Sequence, residues 1–218
     1  MKRCLFFSTA FFLCFSAWAQ PKRNLSLGPM VGLNVSTITG DAYGTASTKT
    51  GLAAGIFFNY SIKQTFGVSG QLLYSQLGAN VSSGQLSRKF KLDYFQIPLF
   101  ATFYFGQGLG AGTIRPKLFL GPYVGFLLSA KDQDGNPIRT PQGNASAINP
   151  LDFGVNLGGG LNYALKNQSW INIDVRYGLG ILDIGSGTGE LRNGAFSVMT
   201  GISFPLGNYD ERTRRIKP

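Results

Sequence analysis

The residues that could do chemistry in this chain are few. Its 218 residues include no histidine, and the only two cysteines, Cys4 and Cys14, lie near the N-terminus. Nucleophile systems of the Ser-His-Asp and Cys-His types need a histidine, and most zinc sites need histidine or cysteine ligands. The sequence therefore excludes these enzyme and metal classes in their usual forms.

Four aspartates remain as candidates for general acid–base work, which needs carboxyl groups positioned within reach of a substrate. They are Asp93, Asp152, Asp174 and Asp183. We expect these aspartates to lie at different depths of the β-barrel that the alternation predicts, and to form structural ion pairs there. The sequence therefore predicts no catalytic residues, no cofactor and no metal ligands.

Two loop sequences superficially resemble ligand-binding loops. The glycine run 106–112 is not followed by the helix that a dinucleotide site requires, because Ile114-Arg115-Pro116 leads into a predicted strand. The segment 132–136 begins like a calcium loop but has no carboxylate near the twelfth position. We expect both to be ordinary turns.

The N-terminus has the three-part layout of a cleaved export signal. Lys2 and Arg3 precede an apolar run over 5–15, and Ala17-Trp18-Ala19 supplies small residues before a cleavage site. We predict a signal peptide over 1–19, a β-barrel over 20–206 and a basic periplasmic tail over 207–218. Cleavage would lower the formal net charge from +10 to +8. Contact with anionic lipid headgroups explains this charge, whereas nucleic acid is not an expected partner.

Alternation with a period of two dominates the rest of the sequence and predicts β-strands. Large apolar residues alternate with glycine, serine and asparagine. Eight such segments can be distinguished, over 25–37, 52–62, 66–79, 90–105, 115–130, 151–165, 169–182 and 194–206.

Three features favour a membrane barrel over a soluble sandwich, although both would show this alternation. The predicted strands are long enough to cross a bilayer at a tilt. The connections after strands two, four and six are short, and those after strands one, three, five and seven are longer. Closure also removes the exposed edges of long strands. The sequence thus predicts an all-β fold, an eight-stranded antiparallel up-and-down transmembrane β-barrel with periplasmic termini.

The charges of the seventh strand identify its inner face. Asp174 and Arg176 are two residues apart and share a face with Gly178 and Gly180. An arginine facing lipid near the bilayer midplane would cost about 2–4 kcal/mol. We therefore predict that Asp174 and Arg176 are structural charges in the lumen, with small neighbours making room for them. Trp170 and Tyr163 are expected in the aromatic girdle at the lipid headgroups.

Segment 92–99, LDYFQIPL, resembles a characteristic strand of the PorT-like outer-membrane β-barrel family of Bacteroidota. Segments 121–125 and 174–177 resemble that family's later strands. The resemblance covers about residues 25–206 and implies an outer-membrane barrel. It also implies assembly by the barrel assembly machinery, which usually reads a terminal aromatic; here Phe204 is followed by Pro205 and the basic tail.

The sequence predicts a small outer-membrane barrel of a Gram-negative bacterium, non-enzymatic, with a lumen filled by side chains. Its expected partners are outer-membrane lipids, the barrel assembly machinery and an envelope protein contacted through loop 131–150, with an accessory role in an envelope or secretion system. One alternative is a soluble periplasmic lipocalin-like barrel that binds a small apolar ligand. Another is a lipid-modifying barrel enzyme that uses carboxylates and serines.

Overall fold

The computed structural model describes residues 25–40, 46–83, 86–106, 108, 110–139, 148–166, 168–185, 190–206, 208–210 and 215–217. The predicted signal peptide, 1–19, lies outside the described residues, as does the middle of the predicted partner loop, 140–147. Both remain predictions. Among the described residues, no helix is long and apolar enough to cross a membrane.

Eight long antiparallel strands form the molecule, as the alternation predicts. Each pairs with the next along the chain, and the last pairs with the first, so the sheet closes into a barrel. The strands are β1 Leu25–Thr39, β2 Lys49–Ser61, β3 Phe66–Ser83, β4 Leu86–Tyr104, β5 Ile114–Lys131, β6 Leu151–Ala164, β7 Trp170–Gly180 and β8 Arg192–Pro205. A two-residue strand, Ala46–Ser47, precedes β2, and a short hairpin pairs Asn208–Asp210 with Arg215–Lys217.

The two faces of the wall differ in chemistry. The outer face carries large apolar side chains that are exposed around the barrel, among them Val31, Leu52, Leu99, Leu118, Leu157, Ile173 and Val198. The inner face carries small and polar side chains, a few aromatic ones, and a buried apolar cluster that consists of Met30, Ala53, Phe57, Leu73 and Met199. A soluble lipocalin-like barrel would place its large apolar residues inside, so this alternative is not supported.

The connections follow the predicted alternation in length only in part. At the rim with the short links, 62–65, 105–113 and 165–169 contain four, nine and five residues, and at the rim with the long links, 40–48, 132–150 and 181–191 contain nine, nineteen and eleven. The link 105–113 is therefore as long as 40–48. The link between β3 and β4 was expected to be long, and this expectation is wrong. Both strands continue to Ser83 and Leu86, with Ser82 paired to Ser87. Residues 80–89 are mostly polar, so the alternation that reveals a strand is absent there.

The wall between β2 and β3 contains an interruption that side chains repair. The ladder stops at Ala53 and Ser75 and resumes at Ser47 and Asn80. In the gap, three side chains donate hydrogen bonds to carbonyl oxygens of β3: Asn34 Nδ2 to Gln76 at 3.1 Å, Ser36 Oγ to Gly78 at 2.9 Å and Lys49 Nζ to Leu77 at 3.1 Å. These bonds satisfy backbone groups that would be costly to leave unpaired in a membrane protein.

The outward orientation of Leu157 generates the first prediction. Leu157 lies near the middle of β6 and is 61% exposed, so Leu157→Arg should place a charge in hydrocarbon. We expect a loss of about 2–4 kcal/mol in the free energy of unfolding, measured by denaturant titration in lipid vesicles. Tyr163→Arg, at the end of the same outer face, should cost about 0–1 kcal/mol. Equal costs at the two positions would contradict the assignment of this face to lipid.

Candidate functional site

The interior of the barrel contains an ion pair between strands that are not neighbours. Lys117 on β5 and Asp174 on β7 both lie opposite Gly160 of the intervening strand β6. Their side chains meet over this glycine, with 2.8 Å between Lys117 Nζ and Asp174 Oδ1, and both are buried. Lys117 Nζ also donates a hydrogen bond of 3.4 Å to Asn172 Oδ1.

Gly160 provides the space for this pair. A Cβ atom added there would lie 2.2 Å from Asp174 Oδ1 and 3.1 Å from Lys117 Cε. It would also lie 2.4 Å from the carbonyl oxygen of Ile173, which belongs to the rigid ladder. A side chain at this position would therefore displace the carboxylate, the backbone or both.

Arg176 crosses the lumen to the opposite wall. It is 4% exposed, and its Nη1 donates a hydrogen bond of 2.6 Å to Gln71 Oε1 on β3. Above this contact, on the side of the long loops, Arg176 lines a small cavity with polar residues that include Asn34, Asn156, Ser197, Tyr123 and Asn193. The cavity holds about 20 Å³, enough for a water molecule but not for an organic ligand.

Asp152 is the second buried carboxylate. It is fully buried, and its Oδ2 accepts hydrogen bonds from Asn193 Nδ2 at 2.9 Å and from Tyr123 Oη at 3.3 Å. Within the described residues it forms no ion pair, and its Oδ1 has no hydrogen-bond partner. Tyr123 and Asn193 also line the cavity beside Arg176, so the polar cluster around Asp152 adjoins this cavity.

The rim with the short links is closed by Arg115. Its guanidinium donates a hydrogen bond to the carbonyl oxygen of Gln64 and lies over two rings, 4.9 Å from the centre of Tyr104 and 5.9 Å from that of Trp170. Trp170 follows the inner alternation of β7, so its expected place in the outer girdle is wrong. Tyr163 does face outward and is 43% exposed.

The opposite mouth is covered by an apolar cluster, which we call the plug. Three side chains from the long links, Ile148, Ile184 and Leu191, pack against Leu77, Leu92 and Tyr94 of the wall. All six are buried, and Ile184, Leu92 and Tyr94 are fully so. Among the described residues, the plug thus lies between the polar interior and the long links.

Hydrogen bonds hold the two long links of the plug together. Asn149 Nδ2 donates to the carbonyl oxygens of Asp183 at 3.1 Å and Gly185 at 2.9 Å. Asp183 Oδ1 accepts bonds from the backbone N–H groups of Leu191 and Gly185, both at 2.8 Å. These two bonds favour the ionised carboxylate and lower the pKa of Asp183 from its ordinary value.

The structure places the four candidate aspartates apart. Asp174 and Asp152 are buried in the lumen, Asp183 fixes a loop, and Asp93 follows the outer alternation of β4. Among the described residues, no group of three His, Cys, Asp or Glu side chains could hold a metal ion. This arrangement can neutralise buried charge and exclude bulk water, and it brings no two of these carboxylates together.

Asp174 and Arg176, the two residues singled out from the sequence, lie inside the barrel, and their structural role remains a prediction. Their partners Lys117 and Gln71 were not identified from the sequence. For Lys117 the sequence does contain one signal of an inner position. In the alternation of β5 it falls on the same face as Phe119, Gly121 and Tyr123.

Comparison with known proteins agrees with this geometry. Residues 18–185 match a family described as outer membrane protein beta-barrel domain. The chain belongs to this family. It is therefore a small outer-membrane barrel, and its apolar outer face contacts membrane lipid. Membership of the narrower PorT-like group remains a proposal.

Solved structures are similar to this chain at low sequence identity, and two of them, with TM-scores above 0.5, show the same fold. The outer membrane protein OprG from Pseudomonas aeruginosa has a TM-score of 0.52 at 15% identity, covering 85% of this chain and 98% of that one. Neisserial surface protein A has a TM-score of 0.51 at 15% identity, covering 82% and 97%. Ail, the attachment invasion locus protein of Yersinia pestis, has a TM-score of 0.46 at 18% identity, covering 83% and 99%. The comparison with curated protein sequences gave no match.

The space that Gly160 provides for the ion pair can be tested by substitution. Gly160→Ala should lower the free energy of unfolding by about 1–3 kcal/mol, because the added methyl group overpacks the space between Asp174 and Lys117. Gly159→Ala is the matched control. Its Cβ would point to the outer face, no closer than 3.1 Å to any atom, and should cost less. Denaturant titration in vesicles measures both, and equal stabilities would contradict the packing role of Gly160.

Proposed function

We propose that this protein is a non-enzymatic outer-membrane barrel with a closed, side-chain-filled lumen, acting as a structural or interaction element of the cell envelope. The narrower form of the proposal is an accessory role in an envelope or secretion system. The observation that carries it is the closure of the interior at three levels. The plug covers one mouth, the Arg176–Gln71 and Lys117–Asp174 contacts cross the middle, and Arg115 covers the other rim.

The number of strands supports a closed lumen. Eight strands enclose an interior just wide enough for side chains, whereas open aqueous channels need about sixteen. The interior charges also have partners inside the protein, so they are not arranged along an open path. An enzymatic role has little support in the same geometry, because Asp174 is bound to Lys117 and Asp152 lies beneath the plug.

The proposed orientation places both ends of the barrel domain in the periplasm. Leu25 and Pro205 both lie at the rim with the short links, which is the periplasmic rim of bacterial outer-membrane barrels. The long links then face outward, and the segment 131–150 is the proposed contact for an envelope protein. We also propose cleavage of the signal peptide 1–19, insertion by the barrel assembly machinery and a periplasmic position for the tail 207–218.

Conductance in planar bilayers tests the closed lumen. The purified protein should give a current close to the background of the bare bilayer, because the plug and the Arg176–Gln71 and Lys117–Asp174 contacts leave no continuous water path in the proposed closed lumen. A sixteen-stranded porin in the same bilayer controls for insertion and for the sensitivity of the recording. Steady conductance well above background would overturn the closed-lumen proposal.

The plug should loosen at acidic pH. The pKa of Asp183 is lower in the folded loop than in the unfolded chain, so its ionised form stabilises the loop above pH of about 3.9. This contribution is lost as the pH falls through the lower, folded value. The NMR amide signals of Gly185 and Leu191 should therefore titrate with a midpoint below about 3.9.

Asp183→Asn is the control for this titration. It keeps an oxygen acceptor but removes the ionisable group, so the acid-dependent shift of both amide signals should disappear. A midpoint at or above about 3.9 in the wild-type protein would contradict the role of the ionised carboxylate.

A further inference from the structure

Three lysines form a patch on the outer wall near the rim with the long links. Lys89 and Lys91 lie on β4, two residues apart and on the same face, and Lys131 ends β5. All three side chains are exposed. Lys91 lies directly opposite Lys131 in the antiparallel ladder, and on its other side it lies opposite Gly78 of β3. We call these three residues the lysine patch.

The lysine patch is electrostatically unfavourable by itself. Like charges that are directly opposite on neighbouring strands destabilise a sheet. Within the described part of the chain, none of the three forms an ion pair, although Asp93 lies two residues from Lys91 on the same face. At Gly78, on the other side of Lys91, the side chain of Lys49 approaches, since a Cβ atom added to this glycine would lie 3.4 Å from Lys49 Cδ. A fourth lysine therefore adjoins the patch, although its Nζ is bound to the carbonyl oxygen of Leu77. The patch is therefore a concentration of positive charge that an external anion could reach and stabilise.

The height of the patch on the wall indicates which anion it meets. The outer face of β4 is apolar from Phe103 back to Phe95, and Lys91 lies four residues before Phe95, nearer the long links. With about 3.4 Å per residue and a tilt of about 40°, Phe95 lies about 20 Å above Phe103, and Lys91 lies about 30 Å above it. The apolar band of such barrels is about 25 Å tall. The ammonium groups of the patch are thus at the level of the lipid headgroups.

The neighbouring strand, β5, places the lysine patch at the same height relative to the lipid headgroups. Phe126 and Leu128 of β5 are 45% and 61% exposed, and Leu128 lies at the bulge where the register against β4 shifts between Asp93 and Tyr94. Lys131 follows three residues after Leu128. Exposed apolar side chains therefore end three residues from Lys131 on β5, whereas on β4 Asp93 lies between Phe95 and Lys91. Long lysine side chains at such a boundary reach the headgroup layer.

We propose that the lysine patch binds the phosphate groups of an anionic lipid in the membrane leaflet nearest the long links. This inference rests on the proposed outer-membrane orientation, in which that leaflet is the outer one. The phosphates compensate the repulsion between Lys91 and Lys131, while the acyl chains of the same lipid lie along the apolar face below. A free phosphate would satisfy only the first of these two contacts, so a lipid is the favoured ligand.

Native mass spectrometry of the refolded full chain tests this proposal with diphosphoryl lipid A as the probe. The variant K89Q/K91Q/K131Q removes the charges of the patch and keeps at each position a polar side chain that is one heavy atom shorter. It should retain the lipid roughly 100-fold less well than the wild type, since each basic residue near an anionic surface contributes about fivefold. The control K63Q/K166Q removes exposed lysines at the opposite rim and should bind like the wild type.

Two further arms identify the source of the phosphate. Dephosphorylated lipid A should bind the wild type as weakly as the triple variant does, and inorganic pyrophosphate at the same concentration should not displace lipid A. Equal retention by the triple variant, binding independent of lipid phosphate, or displacement by pyrophosphate would each overturn the proposal. A gel-mobility change on boiling, recorded for every variant, reports folding separately, so failure of the barrel proposal would be recognised independently.

Discussion

The cost of an unpaired backbone group in hydrocarbon is the constraint on which this structure depends. Water is absent there, so each free N–H or C=O costs several kcal/mol, and a sheet in the membrane must close on itself. Pairing of β8 with β1 meets this requirement. Where the ladder between β2 and β3 is interrupted, Asn34, Ser36 and Lys49 supply hydrogen bonds to the carbonyl groups left over.

Closure with only eight strands determines the chemistry of the interior. The lumen is narrow, so a charged side chain can be accommodated only where the facing position is small and a partner is within reach. Gly160 meets the first condition and lets Lys117 and Asp174 pair across β6. Arg176 instead spans the lumen to Gln71. The same contacts that compensate buried charge also obstruct the lumen, which links the stability of the barrel to its proposed closed state.

The sequence was sufficient to predict the fold and the inner position of Asp174 and Arg176, because a period of two assigns each residue to one of two faces. It could not predict that Lys117 would meet Asp174, since partners on non-adjacent strands depend on register and on the tilt of the wall. Trp170 was assigned to the wrong face because aromatic residues near strand ends occur on both the inner and the outer face of a barrel wall. The plug residue Ile184 lies in a loop, where no periodicity indicates burial.

The central claim is that the apolar face of each strand contacts lipid and that the sheet is closed. Cell fractionation combined with electrophoresis before and after boiling tests it most directly. A closed barrel in contact with lipid should sediment with outer membranes and change its mobility on boiling, as the barrel unfolds. Recovery of the chain from osmotic-shock fluid, monodisperse without detergent, would contradict it.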